Sequence, residues 1–141
     1  TQASVTIDQK LYSEIGKGFL VLIGICDEDT KETADKMVRK LIGMRIFSDE
    51  NGKTNLALKD VDGQLLLVSQ FTLYADCKKG NRPSFVKAGS PQHANELYEY
   101  IIDACKKEVP VVKTGVFGAE MEVALINDGP FTIILDSKDL A

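Results

Sequence analysis

The chain has 141 residues, of which 44% are hydrophobic and 27% charged, and its formal net charge at pH 7 is −4. This length and composition are typical of one soluble globular domain with a core of its own. No apolar run reaches the roughly 18 residues that a membrane-spanning helix needs. The acidic balance argues against broad, non-specific binding of nucleic acid, although it is compatible with one local basic patch.

The cysteines and the histidine offer no pattern of a metal site. Cys26, Cys77 and Cys105 are widely spaced and form no CxxC pair, and the lone His93 has no partner at ligand spacing. The spacing therefore predicts no structural zinc site, and no metal is expected. Unpaired thiols of this kind are typical of a reduced, cytosolic protein, which predicts a cytoplasmic location.

The N-terminal part of the chain is predicted to be three strands. Residues 3–7 and 11–15 alternate around a polar turn at 8–10, as the two strands of a hairpin do. Residues 19–26 follow with a nearly continuous run of Leu, Val and Ile, which predicts a strand covered on both faces.

Two amphipathic helices are predicted by apolar residues that recur every three or four positions. The first begins after an N-cap at Asp29 or Thr30, and the second begins after Ser90, with Pro91 in the first-turn position that proline prefers. Pro110 ends the second helix. The apolar faces are Ala34, Met37, Val38, Leu41 and Ile42 in the first helix, and Ala94, Leu97, Tyr98, Ile101 and Cys105 in the second.

The other apolar runs are predicted to be strands, and Asp62-Gly63 predicts a hairpin between two of them. Helices at two points among hairpin-linked strands indicate one α+β domain over residues 1–141, with a mostly antiparallel, barrel-like sheet. The predicted strands are 44–47, 55–61, 64–74, 111–118, 119–127 and 131–136.

The stretch at 127–132, Asn-Asp-Gly-Pro-Phe-Thr, lies between the last two of these strands. Asp-Gly in such a position predicts a hairpin, with Pro130 placed at a sheet edge because proline cannot donate a ladder hydrogen bond. A second interpretation is that Gly129-Pro130 forms a cis peptide, which costs far less before proline than before other residues and would fix the direction of the neighbouring carbonyl groups. Local rules leave both open.

Two further segments are candidates for chemistry. Ser69, Gln70, Phe71 and Thr72 end an apolar run just before a long loop, where hydroxyl and amide groups could line a site; the plainer interpretation is a strand end. No histidine lies nearby, so a nucleophile of the Ser-His-Asp type is poorly supported.

In the loop 76–90, cations gathered around a glycine would suit phosphate groups, although a solvated surface loop explains them equally well. These cations are Lys78, Lys79 and Arg82.

Read together, these segments resemble the D-aminoacyl-tRNA deacylases of the D-tyrosyl-tRNA deacylase type. Residues 65–85, which contain Ser-Gln-Phe-Thr, and residues 114–137, which contain Asn-Asp-Gly-Pro-Phe-Thr, are similar to the two signature regions of that family. Residues 1–8 and 14–25 match its beginning, so the resemblance covers nearly the whole chain. Members of the family begin with one further strand, whose arginine braces the Gly-Pro turn, and the present chain starts after it, so a first strand absent from the N-terminus is expected.

The resemblance implies an enzyme that hydrolyses the ester between a D-amino acid, or glycine mischarged on tRNA(Ala), and the 3′ end of tRNA. It implies a barrel-like fold, a homodimer with active sites at the interface, and no metal or organic cofactor. Each site is expected to bind the acceptor end of an aminoacyl-tRNA and to receive the Gly-Pro turn of the other subunit. A non-catalytic RNA-binding module on the same scaffold is the alternative, and a membrane partner is not expected.

The resemblance also assigns roles to individual residues. An aminoacyl ester is already activated, so positioning a water and stabilising the oxyanion suffice, with the backbone N–H groups near Phe71 and Thr72 as candidate donors. The base is left open between Thr72, acting as nucleophile, and the ribose 2′-OH of the substrate, which we favour because nothing is placed to deprotonate a threonine. By resemblance, Ser69, Gln70, Phe71 and Thr72 face the ester and the terminal adenosine, Gly129 and Pro130 give the selectivity, and Phe117 and Met121 line the pocket. The local positive charge in an acidic chain predicts that Lys78, Lys79 and Arg82 contact the acceptor end of the tRNA.

Overall fold

The computed structural model describes residues 1–129 and 131–140. Within them the chain forms eight strands and two α-helices, which confirms the predicted α+β class. Three short 3₁₀ turns complete the elements, at Leu58–Val61, Phe71–Tyr74 and Ser137–Asp139. In chain order the elements are β1 (Gln2–Ile7), β2 (Lys10–Ile15), β3 (Gly18–Ile23), α1 (Lys31–Gly43), β4 (Phe47–Ser48), β5 (Thr54–Leu56), β6 (Gln64–Ser69), α2 (Pro91–Glu108), β7 (Val112–Thr114) and β8 (Glu122–Ile126).

The strands form two three-stranded sheets and one small hairpin. The first sheet is antiparallel, in the order β2-β1-β8, and β4 and β5 pair with each other. The second sheet, β3-β6-β7, is parallel. Antiparallel pairs predominate, as the sequence predicts, but the parallel sheet was not expected. It follows from the helices, because parallel neighbours need a crossover and α1 and α2 lie in the two crossovers.

The predicted hairpin at Asp62-Gly63 is wrong. Residues 58–61 form a 3₁₀ turn, and Asp62 ends it in the left-handed conformation, with φ of 51°. Gly63 follows so close to Leu58 that an added Cβ would lie 2.5 Å from Leu58 Cδ1. The turn therefore directs the chain into β6, which pairs with β3 rather than with the strand before it.

The core has two parts, and β6 separates them. Leu65 and Leu67 face α1 and α2, while Leu66 and Val68 face the first sheet, and all of these side chains are fully buried. Alternate residues of a strand point to opposite faces, so β6 is covered on both sides. β3 was expected to be covered in the same way, but Leu22 is 44% exposed, so this edge strand is open at that position, although Leu20 on the same side packs against the second core.

Both helices begin where their capping residues predict. The Thr30 side chain caps α1 and accepts from the N–H of Thr33, and the Ser90 hydroxyl accepts from the N–H of His93 at the start of α2. The buried faces are the predicted ones, although Met37 and Ile42 of α1 are only partly buried. No helix within the described residues is both long and apolar enough to cross a membrane.

Several predicted strands are shorter than expected or absent. The run 64–74 stops as a strand at Ser69 and continues as a 3₁₀ turn, and the run 111–118 is a strand only over Val112–Thr114. Residues 131–136 form no strand, and Ile134 is 90% exposed. Apolar alternation predicts a strand only where a partner is available, and none of the described strands pairs with this last segment.

Candidate active site

The candidate residues gather where the parallel sheet ends. β3, β6 and β7 run in the same direction, so their carboxyl ends meet at one edge of the sheet. Gly24 follows β3, Ser69 ends β6, and Gly115 follows β7. Crevices outside the carboxyl ends of parallel strands are the usual ligand sites of sheets of this kind. The topology thus brings two segments that are far apart in sequence, 69–72 and 115–121, to the same edge.

Hydrogen bonds fix the segment after β6. The N–H of Gln70 donates to Ile23 O at 2.7 Å, which ties the segment to the end of β3. The Gln70 side-chain amide donates to the Thr72 hydroxyl at 2.5 Å. Phe71 begins the 3₁₀ turn, and its side chain is 55% exposed. The predicted residues Ser69 to Thr72 therefore lie together on a surface that a ligand can reach.

The surroundings of Thr72 decide what its hydroxyl can do. Its oxygen accepts from the Gln70 amide, and no His, Asp, Glu or Lys of the described chain hydrogen-bonds to it. His93 does not help, because its Nε2 lies 2.9 Å from Asp29 O and ties α2 to the loop after β3. A threonine hydroxyl needs an adjacent base to become a nucleophile. Here the hydroxyl is free to donate its proton to a ligand, and nothing beside it would remove that proton.

Gly24 and Tyr74, which the sequence did not single out, hold this 3₁₀ turn in place. An added Cβ at Gly24 would lie 3.0 Å from Leu73 Cβ and 3.3 Å from the Tyr74 ring carbons Cδ2 and Cε2. Burial, and then a hydrogen bond with Cys26, raise the pKa of Tyr74, so its hydroxyl stays protonated beside that thiol. A lone glycine inside a strand-like run is a known sign of close backbone approach, and this signal could have identified Gly24.

Phe117 and Met121 reach the same edge of the sheet from opposite sides. Phe117 packs at the border of the core on the helix side, with its ring centroid 6.3 Å from that of Tyr98. Met121 borders the other core, and its sulfur accepts from the N–H of Val116 at 3.4 Å. A cavity of about 230 Å³ opens beside Phe117, between α2 and the segment after β7. Both side chains therefore flank the edge where Ser69 lies, without a direct contact to Thr72 among the interactions described.

The basic loop, residues 76–90, starts directly behind the 3₁₀ turn. Lys78, Lys79 and Arg82 are all exposed, and none of them forms an ion pair within the described part of the chain. Asp76 and Ser84 pair across the neck of the loop, with N–H to O distances of 2.7 and 2.8 Å. The predicted cation cluster is thus available to a ligand, beside the segment that carries Thr72.

The turn at 127–132 lies elsewhere, at the end of β8 in the first sheet. The Asn127 side chain donates to the Thr132 hydroxyl at 3.0 Å across the turn. Gly129 is exposed, and a Cβ added there would meet no atom within 4 Å. The interpretations of Pro130, including a cis peptide with Gly129, lie outside the described residues.

The acidic, histidine and cysteine side chains of the described residues do not cluster as metal ligands do. No group of three or more such side chains in residues 1–129 and 131–140 is arranged to hold a metal ion. The three cysteines are free, and burial raises the pKa of the Cys105 thiol to about 11.

The sequence matches the model of one protein family over most of its length. Residues 1–136 match the family described as D-Tyr-tRNA(Tyr) deacylase. The chain is 53% identical to the D-aminoacyl-tRNA deacylase of Clostridium novyi (strain NT), over 97% of this chain and 92% of that one. It is 51% identical to the D-aminoacyl-tRNA deacylase of Thermosipho africanus (strain TCF52B), over 96% of this chain and 91% of that one.

Solved structures agree with the sequence relationship. One titled c-Myc DNA Unwinding Element Binding Protein superposes with a TM-score of 0.90 at 41% identity, covering 96% of this chain and 93% of that one. One titled as a probable eukaryotic D-amino acid tRNA deacylase has a TM-score of 0.78 at 17% identity, covering 92% and 90%, and supports the fold alone. The family-model match over residues 1–136 and the identities above 50% lead to one conclusion: the chain is an enzyme of the D-Tyr-tRNA(Tyr) deacylase family.

Proposed function

We propose that this protein hydrolyses the ester that joins a D-amino acid, or glycine, to the 3′ end of tRNA, including glycine mischarged on tRNA(Ala). Water adds to the ester carbonyl, the bond from that carbon to the ribose oxygen breaks, and the products are a free amino acid and a tRNA with its 3′-hydroxyl restored. The observation that carries the proposal is the held Gln70–Thr72 segment at the exposed end of β6, in a chain of this family. Such proofreading belongs where translation occurs, so we propose a cytoplasmic location.

The proposed mechanism relies on positioning rather than on a strong nucleophile. The N–H groups of Phe71 and Thr72 take part in none of the turn, loop or cap backbone bonds found in the described residues, so they are available to an oxyanion. Donors held towards the oxygen on which charge develops stabilise it most in the transition state. Because no base stands beside Thr72, we assign activation of the water to the ribose 2′-OH of the substrate, with Thr72 donating to the ester. Phe117 and Met121 then border the terminal adenosine.

Selectivity is proposed to come from the Gly129-Pro130 turn of a second subunit. In its own chain a Cβ added at Gly129 would meet no atom within 4 Å, so this position is open. Carbonyl groups fixed against the α-carbon of the amino acid would leave room for its hydrogen atom on that side. An L side chain in the same place would be excluded by steric conflict. Such a gate does not read the side chain on the other face, so many D-amino acids would pass, and so would glycine.

The direct test is hydrolysis of matched substrates. The purified protein is expected to release D-tyrosine from D-tyrosyl-tRNA while sparing L-tyrosyl-tRNA, with the same rate after treatment with a chelator. Release of labelled amino acid from each ester measures both outcomes. Equal hydrolysis of the two esters would overturn the gate, loss of the rate with chelator would overturn metal independence, and tRNA binding without turnover would favour a non-catalytic RNA-binding module.

The second subunit is expected to cover the exposed apolar surface at the end of β8 and beyond it. The large side chains there are unusually open to solvent, and Ile134, at 90%, is the most exposed of them. Contiguous apolar surface of this kind marks interaction sites. The residues are Leu125, Ile126, Phe131, Ile133 and Ile134.

Sedimentation is therefore expected to report twice the mass of one chain. Ile134→Asp is expected to give a folded monomer that hydrolyses L-tyrosyl-tRNA as well as D-tyrosyl-tRNA, because each site lacks the turn of its partner. Val86→Asp is the matched control, since Val86 is 86% exposed on a different segment and should leave the mass unchanged. A wild-type monomer with full activity would contradict the interface.

A further inference from the structure

Two aromatic rings stand open to solvent beside the proposed site. Phe71 is 55% exposed and Phe85 is 39% exposed, and their centroids lie 5.3 Å apart at an interplanar angle of 71°. Each ring thus covers part of the other, and each keeps a free surface. We call these two residues the aromatic pair. Large apolar side chains placed together in water are uncommon in a monomer unless something binds to them.

The backbone behind Phe85 is held firmly. The Asp76–Ser84 pair closes the basic loop immediately before Phe85, and Lys87 forms an ion pair with Asp76 at 3.2 Å. The N–H of Lys78, and then the Lys87 ammonium, hold the pKa of the Asp76 carboxyl below its usual value, so it stays ionised in this contact. A ring attached to a fixed backbone loses less conformational entropy when a ligand stacks on it. The position of the Phe85 ring is therefore preorganised for stacking with a planar group of a ligand.

The charge around the aromatic pair selects the kind of partner. The loop that Asp76 and Ser84 close carries Lys78, Lys79 and Arg82 at the surface, and the chain as a whole has a net charge of −4. Positive charge concentrated in one loop of an acidic protein attracts polyanions to that place and not to the rest of the surface. The ligand that complements both the cations and the aromatic faces of this surface carries phosphate groups and planar rings.

We propose that the aromatic pair and the basic loop form a platform for single-stranded RNA, on which an unpaired base of the acceptor end stacks against Phe85 while its phosphates meet the lysines and the arginine. Single-strand binding surfaces combine these two elements, because every base has a π-face and every nucleotide a phosphate. This inference rests on the proposed function for the identity of its RNA. It extends that function from the esterified nucleotide to the unpaired nucleotides before it.

Binding without chemistry tests the platform. The probes are two fluorescent RNA hairpins with the same stem, one with a 3′ single-stranded ACCA end and one blunt. Wild-type protein is expected to bind the overhang hairpin more tightly than the blunt one. Phe85→Ala should bind the overhang hairpin about tenfold more weakly, with an unchanged affinity for the blunt hairpin, and Phe85→Tyr should restore the preference. Lys79→Ala combined with Arg82→Ala should weaken both hairpins and flatten the salt dependence, whereas Phe85→Ala should keep the salt slope. Equal weakening of both hairpins by Phe85→Ala, or no weakening, overturns the proposal.

Hydrolysis separates this proposal from the proposed function. Phe85→Ala is expected to lower kcat/KM for D-tyrosyl-tRNA about tenfold but to leave hydrolysis of the 3′ D-tyrosyl ester of adenosine at the wild-type rate. An equal loss on the small ester means that Phe85 only supports Phe71, and a change in sedimenting mass means that the pair belongs to a subunit interface; either result overturns the platform. A wild-type protein that prefers the overhang but cleaves neither ester would overturn the proposed function instead.

Discussion

Replacing Gly24 by alanine is expected to lower kcat for D-tyrosyl-tRNA by about tenfold, because a misplacement of about 1 Å can cost a hundredfold and the added methyl group requires a smaller shift. The new methyl group would lie 3.0 Å from Leu73 Cβ and 3.3 Å from the Tyr74 ring, which is tighter than ordinary contact. Those two residues end the same 3₁₀ turn that begins with Phe71 and Thr72. The turn must move away from β3, and it carries the proposed oxyanion donors with it.

Three measurements distinguish this displacement from general damage. Gly43→Ala is the matched control, because it adds the same methyl group at the end of α1 with no atom within 4 Å. KM and the unfolding temperature of Gly24→Ala should stay near wild type while kcat falls. In a Cys77→Ser background, Cys26 should react faster with a thiol reagent once Tyr74 moves off it. Unchanged kcat, or a loss of kcat that merely follows a loss of folded protein, would contradict the positioning role.

Replacing Leu66 by alanine is expected to cause the largest loss of stability, about 2–5 kcal/mol, as for other fully buried leucines. Leu66 is completely buried at the centre of β6, against the first sheet. The cavity left by its side chain would lie between two sheets that other contacts hold in place, so the surroundings can close only partly.

Urea unfolding at a fixed protein concentration measures this effect, since a dimer makes the midpoint depend on concentration. Leu22→Ala is the control: it removes the same atoms from neighbouring β3, where the side chain is already 44% exposed. We expect the midpoint to fall much further for Leu66→Ala, with an unchanged denaturant slope. Equal losses in the two variants would show that β6 is not the centre of the core.

The sequence predicts the helices better than the pairing of the strands. Helix starts depend on local chemistry, so Thr30 and Ser90 were identifiable as caps from neighbouring residues alone. Strand partners depend on distant residues, and Asp62-Gly63 has the composition of a hairpin turn although it ends a 3₁₀ turn. The presence of a helix between successive apolar runs was the better guide, since such a helix can form the crossover that parallel neighbours need.

The candidate site was predictable where its residues are contiguous in sequence. Ser69 to Thr72 are contiguous, and their motif is recognisable together with the second segment sixty residues later, near Gly129. Phe85 was not found, because its importance arises from its contact with Phe71, and Gly24 was missed although a lone glycine in a strand-like run signals a close backbone approach. Hydropathy patterns describe which side a residue faces, and neither a close approach nor a pair of exposed rings changes that pattern.

The position of β6 also governs the order in which the molecule can assemble. This strand ends at Ser69, and both of its neighbours in the sheet are distant in sequence. A long crossover that contains α1 separates it from β3, and α2 separates it from β7. Contacts between distant parts of a chain close late in folding because their loop entropy must be lost first. During synthesis, the segment with Thr72 leaves the ribosome well before the strand that completes its sheet. A growing chain therefore holds the segment of Thr72 without its supporting edge, and hydrolytic competence should appear only after Thr114 has emerged.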